Sequence, residues 1–295
     1  MLLEQVINGF VVGSMYALIA LGFCLVFGVL DKLNFAHPEL FMLAGYLAIA
    51  LMGMGAPVLV TIPLVVLVIG LGGLAVEWVS FRKFVAHDSH ITAALSSLAL
   101  GLVIIDGVQK IWGSEPLQLP APTSLRTASI SLGDLQISWL KIVTLAATFV
   151  LMVFMHHLIT RTQLGRNIRA TADSSEAAQL LGIDVRKVTQ QTFFIASALA
   201  AIAGVMLVFR TGFATTESGF NLGLKALAIL AIGGMSDLKG AVVGGLLVGV
   251  VEALAIHFGL GKLAGVAVWA FMIAVLMFKP TGLFGSGHSR TEARA

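Results

Sequence analysis

VINGFVVGSMYALIALGFCLVFGVL, residues 6–30, runs for 25 positions without a charged side chain. About 20 apolar residues in a helix cross the hydrocarbon layer of a bilayer. A helix that is apolar on every side is a buried or membrane helix rather than an amphipathic surface one. The stretch has no basic flank ahead of it and is too long for the apolar part of a secretory signal, so it is expected to stay as a span. It also holds Cys24, the chain's single cysteine, which removes a disulfide or a thiolate metal site from consideration.

Outward from that stretch the pattern repeats. The 295 residues are 58% hydrophobic and 11% charged, with a mean hydropathy of +0.98, whereas a soluble domain carries roughly 25% charged residues. A β-barrel would alternate apolar and polar positions in segments of about ten, and no such alternation runs through the chain. Apolar segments fall at about 6–30, 38–54, 58–80, 91–112, 138–160, 188–209, 222–234, 240–257 and 263–280. The seventh is short and interrupted by glycine, so the count is nine crossings, or eight with a re-entrant half-helix. The predicted fold is all-α: a polytopic inner-membrane helical bundle with 8–9 transmembrane segments.

Lysine and arginine accumulate in cytoplasmic loops. Nine crossings put Lys32, Arg82, Lys83, Arg161, Arg166, Arg169, Arg186, Lys187, Lys239, Lys279, Arg290 and Arg294 on one side, and Lys110, Arg126, Lys141, Arg210 and Lys262 on the other. The N-terminus is then outside and the C-terminus cytoplasmic. Residues 1–285 read as one membrane domain, with a small external cap at about 113–138 and a cytoplasmic loop at about 161–187. In the cap, SISLGDLQIS alternates around Gly-Asp, a hairpin signal. The tail 286–295 has no apolar face and is expected to be mobile. A faint echo links YALIALG (16–22) with KALAILAIGG (225–234), the kind of repeat from which many transporters are built.

One short polar stretch inside the basic loop stands out: DSSEAAQLLGID, residues 173–184. Asp173 is an N-cap candidate and Glu176 can reach back to it. Gly182 supplies a left-handed C-terminal residue, with Ile183 folding onto the last turn. Ala177, Leu180 and Leu181 share one face. Two turns of helix are unstable alone in water, so that face packs on its own membrane domain, lies at the lipid headgroups, or fits a groove on a soluble partner steered by Arg166, Arg169, Arg186 and Lys187.

Glu176-Ala177-Ala178, three residues, then Gly182 resembles the EAA-x3-G coupling motif of ABC importer permeases, although Thr192 stands where that motif has isoleucine. The resemblance widens. QVINGFVVGSMYALIALGFCLVFGVLDKLNFAHPE, TQLGRNIRATADSSEAAQLLGI and GGMSDLKGAVVGGLLVGVVE are similar to the LivH-type permeases of branched-chain amino-acid importers. Pro38 departs from that family, which has glycine after Asn-Phe-Ala-His. The LivM-type companion carries an N-terminal extension and lacks the Asn-Phe-Ala-His block. The resemblance implies a coupling site at Arg169, Asp173, Glu176, Ala177, Ala178, Leu180, Leu181 and Gly182. It also implies a second permease (LivM-type or a homologous copy), two cytoplasmic ATP-binding subunits, an external substrate-binding protein, and leucine, isoleucine, valine or related cargo.

Polar residues in the apolar segments are the pathway candidates. Asn34, His37 and Glu39 surround Pro38; proline is favoured at the first helical position, which makes His37 an N-cap and puts Glu39 in the first turn, or makes the group a gate. Thr92, Ser96 and Ser97 form a hydroxyl-rich stretch that lines a conduit or bonds back to its own backbone. Glu252 follows Gly240, Gly244, Gly245 and Gly249, whose small faces allow close helix packing, and is expected to be buried against a neighbour. Asp106 is close enough to a helix end to reach headgroups. Lys225 is expected to snorkel outward or to pair with Glu217.

No G-x4-GK[ST] phosphate loop occurs, so ATP is expected on partner subunits and this chain needs no cofactor or metal. His37 and Glu39 lack a third ligand. No nucleic-acid partner is expected, and membrane lipid is. Two other classes compete: a channel or ion-coupled carrier, which has no use for the capped helix, and an intramembrane enzyme built on Ser236 and His257. Ser236 falls in a turn beside Asp237 and Lys239, where no water-excluded site is expected.

Overall fold

The computed structural model describes residues 2–82, 90–120, 129–132 and 135–285. Lys83, the cap residues 121–128 with Arg126, the Gly-Asp turn of the hairpin, and the tail 286–295 with Arg290 and Arg294 lie outside the described residues.

Every apolar segment read from the sequence is a helix. They are α1 (Leu2–Leu30), α2 (His37–Gly53), α3 (Val58–Val76) continued by one π turn, Glu77–Phe81, and α4 (His90–Trp112). After the outer loop come α5 (Trp139–Arg161), α6 (Gln163–Asp173), α7 (Ser175–Leu180) and α8 (Val185–Thr211). The chain closes with α9 (Glu217–Gly233), α10 (Leu238–His257) and α11 (Ala264–Phe278). Seven of these are long and apolar enough to cross a membrane, and α2 is a shorter apolar helix. The seventh segment is longer than its apolar part suggests. Thr216 precedes a helix of 17 residues that is roughly 25 Å long, because Glu217 to Asn221 extend it at the polar end.

α1 is the axis of the molecule. From Gly13 to Val26 every residue is buried, and its apolar character on all sides reflects protein contact on all sides. Its partner along the length is α10, and glycine is the reason. A Cβ on Gly13 would stand 2.7 Å from the Gly245 carbonyl oxygen, and one on Gly245 would stand 2.7 Å from the Ala17 backbone. Gly249 sits directly on Gly13, and Gly240 on Gly233 of α9. The predicted packing role of Gly240, Gly244, Gly245 and Gly249 is thus carried by named contacts, Gly244 facing Ile229. α8 is the second inner helix, with Gly204 fitted against the Phe41 carbonyl of α2.

Around this interior the outer helices present large apolar side chains. Leu59, Leu67 and Leu71 of α3, Leu95 and Leu102 of α4, Phe149 and Val153 of α5, and Ile273 and Met277 of α11 are all exposed. Small residues inside with leucine and phenylalanine outside suit a bundle solvated by lipid tails.

Short strands tie the end opposite the basic loop. β1 (Leu117–Gln118) pairs antiparallel with β4 (Phe213–Ala214), so the loop after α4 is held to the α8–α9 turn. β2 (Ser129–Leu132) pairs with β3 (Leu135–Ser138) in the expected hairpin. Ser138 then caps α5 by accepting from the Leu140 N–H.

Candidate functional site: a capped knob and two buried polar clusters

The basic loop folds into two helices where the sequence suggested one. α5 ends at Thr162, whose Oγ1 accepts from the Gly165 N–H at 3.1 Å and starts α6. Gly165 is pressed on the Leu158 and Ile159 carbonyls, a turn too tight for a side chain. Arg169 is exposed but donates to the Ile159 carbonyl, which fixes α6 to the end of α5. Ile168 is buried beneath it.

Ser174 separates α6 from α7 with an extended backbone, and its Oγ accepts from the Ala177 N–H at 3.2 Å. The expectation of an Asp173 cap with Glu176 reaching back is therefore corrected: Asp173 closes α6, and the hydroxyl one residue later is the cap. Both Asp173 and Glu176 are exposed. The other end is as read. Gly182 has φ +81, its N–H donates to Gln179 O at 2.9 Å, and Ile183 N–H donates to Ala178 O at 3.0 Å. That pair of bonds is the Schellman closure, and Ile183 packs on the main core. Asp184 starts α8 by accepting from the Lys187 N–H at 3.1 Å. That bond, with the Lys187 ammonium 3.2 Å away, holds the Asp184 carboxyl below the usual carboxylate range.

These caps present α7 in one pose. Ala178 faces inward and is 1% exposed, while Leu180 is 90% and Leu181 80% exposed, with Ala177 exposed beside them. Among the described residues nothing covers the two leucines, so this face does not pack on the described part of the membrane domain. Beside the knob, Glu77, Arg82, Gln179, Ile183, Arg186 and Thr189 line a groove of about 380 Å³, with Arg82 paired to Glu77 at 3.2 Å.

The second cluster is the break between α1 and α2. Lys32, Asn34, His37 and Glu39 are all buried there. Asn34 Oδ1 accepts from the Ala36 N–H at 3.1 Å, an Asx turn. His37 is the first residue of α2 rather than its cap; Ala36 holds the cap position without a side-chain bond, and Pro38 lies within the first turn. The displacement follows from packing: the His37 ring is edge-on to Phe23 at 4.9 Å, and a Cβ on Gly22 would come 2.5 Å from it. Neither ring nitrogen has a well-formed hydrogen bond, with the Ile19 carbonyl as the acceptor nearby. Glu39 lies against Gly101 and Gly219, and its Oε2 has no partner among the described residues. Of the α4 hydroxyls, Ser97 is fully buried, donates to Ala94 O at 2.8 Å and accepts from the Phe35 N–H at 3.0 Å. Thr92 is exposed and Ser96 half-buried. The structure thus brings Asn34, His37, Glu39 and Ser97 together and leaves Thr92 and Ser96 apart.

The third cluster corrects the reading of Lys225. Its Nζ lies 2.6 Å from Glu252 Oε1 and 3.0 Å from the Tyr16 hydroxyl, and the Tyr16 hydroxyl donates to Glu252 Oε2 at 2.7 Å. Lys225 neither snorkels nor pairs with Glu217. Tyr16 carried no weight in the sequence reading; the available signal was the alignment of Glu217, Asn221 and Lys225 at four-residue spacing in an apolar segment. Asp106 pairs with Lys110 at 2.7 Å on the surface of α4. Ser236 is exposed in the α9–α10 turn, and His257 ends α10, 20 residues long. Roughly 30 Å then separates them, which rules out a Ser–His pair.

Comparison with known proteins places this geometry. A family model described as "Branched-chain amino acid transport system / permease component" matches residues 5–278. The permease protein BraD of a high-affinity branched-chain amino acid transport system, from Pseudomonas aeruginosa, is 32% identical, over 96% of this chain and 95% of its own. The permease protein LivH of Escherichia coli K12 is 33% identical with the same coverage. The autoinducer 2 import system permease LsrC of Escherichia coli is 30% identical over 59% of this chain and 47% of its own. The chain belongs to the family of branched-chain amino acid transport system permease components.

Proposed function

We propose that this chain is the membrane-spanning subunit of an ATP-driven importer of branched-chain or related amino acids. It forms the translocation pathway with a second permease, LivM-type or a homologous copy. Two cytoplasmic ATP-binding subunits bind and hydrolyse ATP, and an external substrate-binding protein delivers cargo over the outer strands. The observation that carries the reading is α7: capped at both ends, anchored through Ala178 and Ile183, with Leu180 and Leu181 bare to solvent. Exposed leucines cost free energy unless something covers them, roughly 1.5–3 kcal/mol for each fully buried on binding. The chain has no phosphate loop, so the motor is separate, and α7 is where its motion enters. Arg166 and Arg186, both exposed around it, favour an acidic groove on the motor. The basic side then faces the cytoplasm of a bacterial cell, in the inner membrane, with the N-terminus outside.

Leu180→Asp tests this. Membrane insertion and expression are expected to stay at wild-type levels, while the ATP-binding subunits no longer co-purify and uptake is lost. Gly182→Pro, which destroys the left-handed closure, should do the same. Wild-type uptake with retained co-purification in both variants would remove α7 from the mechanism. An ion-coupled carrier is the second reading, and the Glu39 Oε2, buried without a partner among the described residues, is the observation on its side. Uptake abolished by a protonophore but indifferent to ATP depletion would favour it.

A further inference from the structure

The Tyr16–Glu252–Lys225 cluster is poorly suited to a face in contact with lipid. Lys225 lies eight residues into α9 and Glu252 five residues before the end of α10, about 12 Å and 8 Å along their helices. Charges at such depth face protein or water rather than lipid. Yet the side chains remain 20% and 15% exposed, so one edge of the pair is open. On α9 the opening continues as a polar stripe: Glu217 and Asn221, both exposed, stand on the same face as Lys225 at successive four-residue steps. The exposed stripe of α5, in contrast, is Phe149, Val150, Val153 and Phe154.

We propose that this face of α9 and α10 borders the aqueous pathway and that Lys225 and Glu252 form a transit site for the zwitterionic end of an α-amino acid. The proposal rests on the amino-acid cargo argued above. A zwitterion needs a cation for its carboxylate and an anion for its ammonium a few ångströms apart. Lys225 and Glu252 supply both, with the Tyr16 hydroxyl bonded to each. Cargo enters by exchange of partners: its carboxylate takes the Lys225 ammonium and its ammonium takes Glu252. No charge is left unpaired during the exchange, which avoids the large penalty of a bare buried ion. One ion pair is replaced by two of the same kind, so binding is weak, as passage requires.

Two measurements on membranes carrying the full importer decide it. In a Cys24→Ala background, Asn221→Cys is expected to react with a charged, membrane-impermeant thiosulfonate, while Val150→Cys on α5 does not. An Asn221→Cys as inert as Val150→Cys means a lipid-facing surface and overturns the proposal. The second measurement is uptake of radiolabelled L-leucine, L-isoleucine and L-valine by Lys225→Gln, Glu252→Gln and the double neutral variant. The double variant leaves no unpaired charge and is expected to assemble at wild-type levels with uptake still down about 10- to 100-fold, the loss of charge-assisted contacts to cargo. Wild-type uptake by the double variant makes the pair a structural clamp and overturns the site. A wild-type importer that takes up none of the three overturns the cargo reading instead, which is distinguishable from a wild type and a double variant that transport alike.

Discussion

Glycine at Gly249 and glycine at Gly28 look equivalent in the sequence and are opposite in the fold. Gly249 touches the Gly13 backbone, while a Cβ on Gly28 would meet nothing within 4 Å. Gly249→Leu should therefore force α1 and α10 apart, at a cost of about 1–3 kcal/mol or more, and lower the midpoint of thermal aggregation in detergent. Gly28→Ala should leave that midpoint equal or raise it, since alanine stabilises a helix interior by about 0.5–1 kcal/mol relative to glycine. Residue type alone marked the small faces of α10 correctly, because close packing in lipid demands them. It left Lys225 to snorkel or to pair with Glu217, since its actual partners Glu252 and Tyr16 stand 27 and 209 positions away in sequence, and such pairings follow from how α1, α9 and α10 assemble.

At the scale of one element, α7 was legible as a capped helix and misread by one residue at its start. Asp173 and Ser174 are both good N-cap types; the choice between them depends on where α6 stops, and α6 itself was hidden. Its residues, QLGRNIRATAD, are polar enough to pass for a loop, and only the burial of Gly165 and Ile168 reveals the anchored face. Ser174→Ala is expected to weaken the helix by about 1 kcal/mol, read as faster amide exchange at Ala177, with Asp173→Ala having a smaller effect there. The next cap adds a pH dependence. Asp184 has its carboxyl depressed by the Lys187 N–H, so its contribution is complete above the ordinary carboxylate pKa and is lost as pH falls through the depressed value. Amide protection at Lys187 should decline on acidification in the wild type and be flat in Asp184→Asn.

For the molecule as a whole, hydropathy placed the nine apolar segments, each of which is a helix, while it left eight or nine crossings open and passed over the polar helix α6. What it did not give was which helices lie inside. α1 and α3 are comparably apolar in sequence, yet α1 is buried along most of its length and α3 exposes one side; glycine spacing against α10 makes the difference. Seven of the described helices are long and apolar enough to cross a membrane, and α2 and α9 are shorter at 17 residues each. Glu77, Arg82, Gln179 and Arg186 share a groove at one end, and the strands β1 to β4 lie at the other. The orientation proposed above keeps the positively charged loops in the cytoplasm. Alkaline phosphatase, active only outside the cytoplasm, should be active when fused after Glu115 and inactive when fused after Gly182. Fusions after Met54 and after Met235 should follow the same division, active and inactive in turn. An active fusion after Gly182 would put α7 on the side without ATP, and the exposed pair Leu180 and Leu181 would then have no motor to meet.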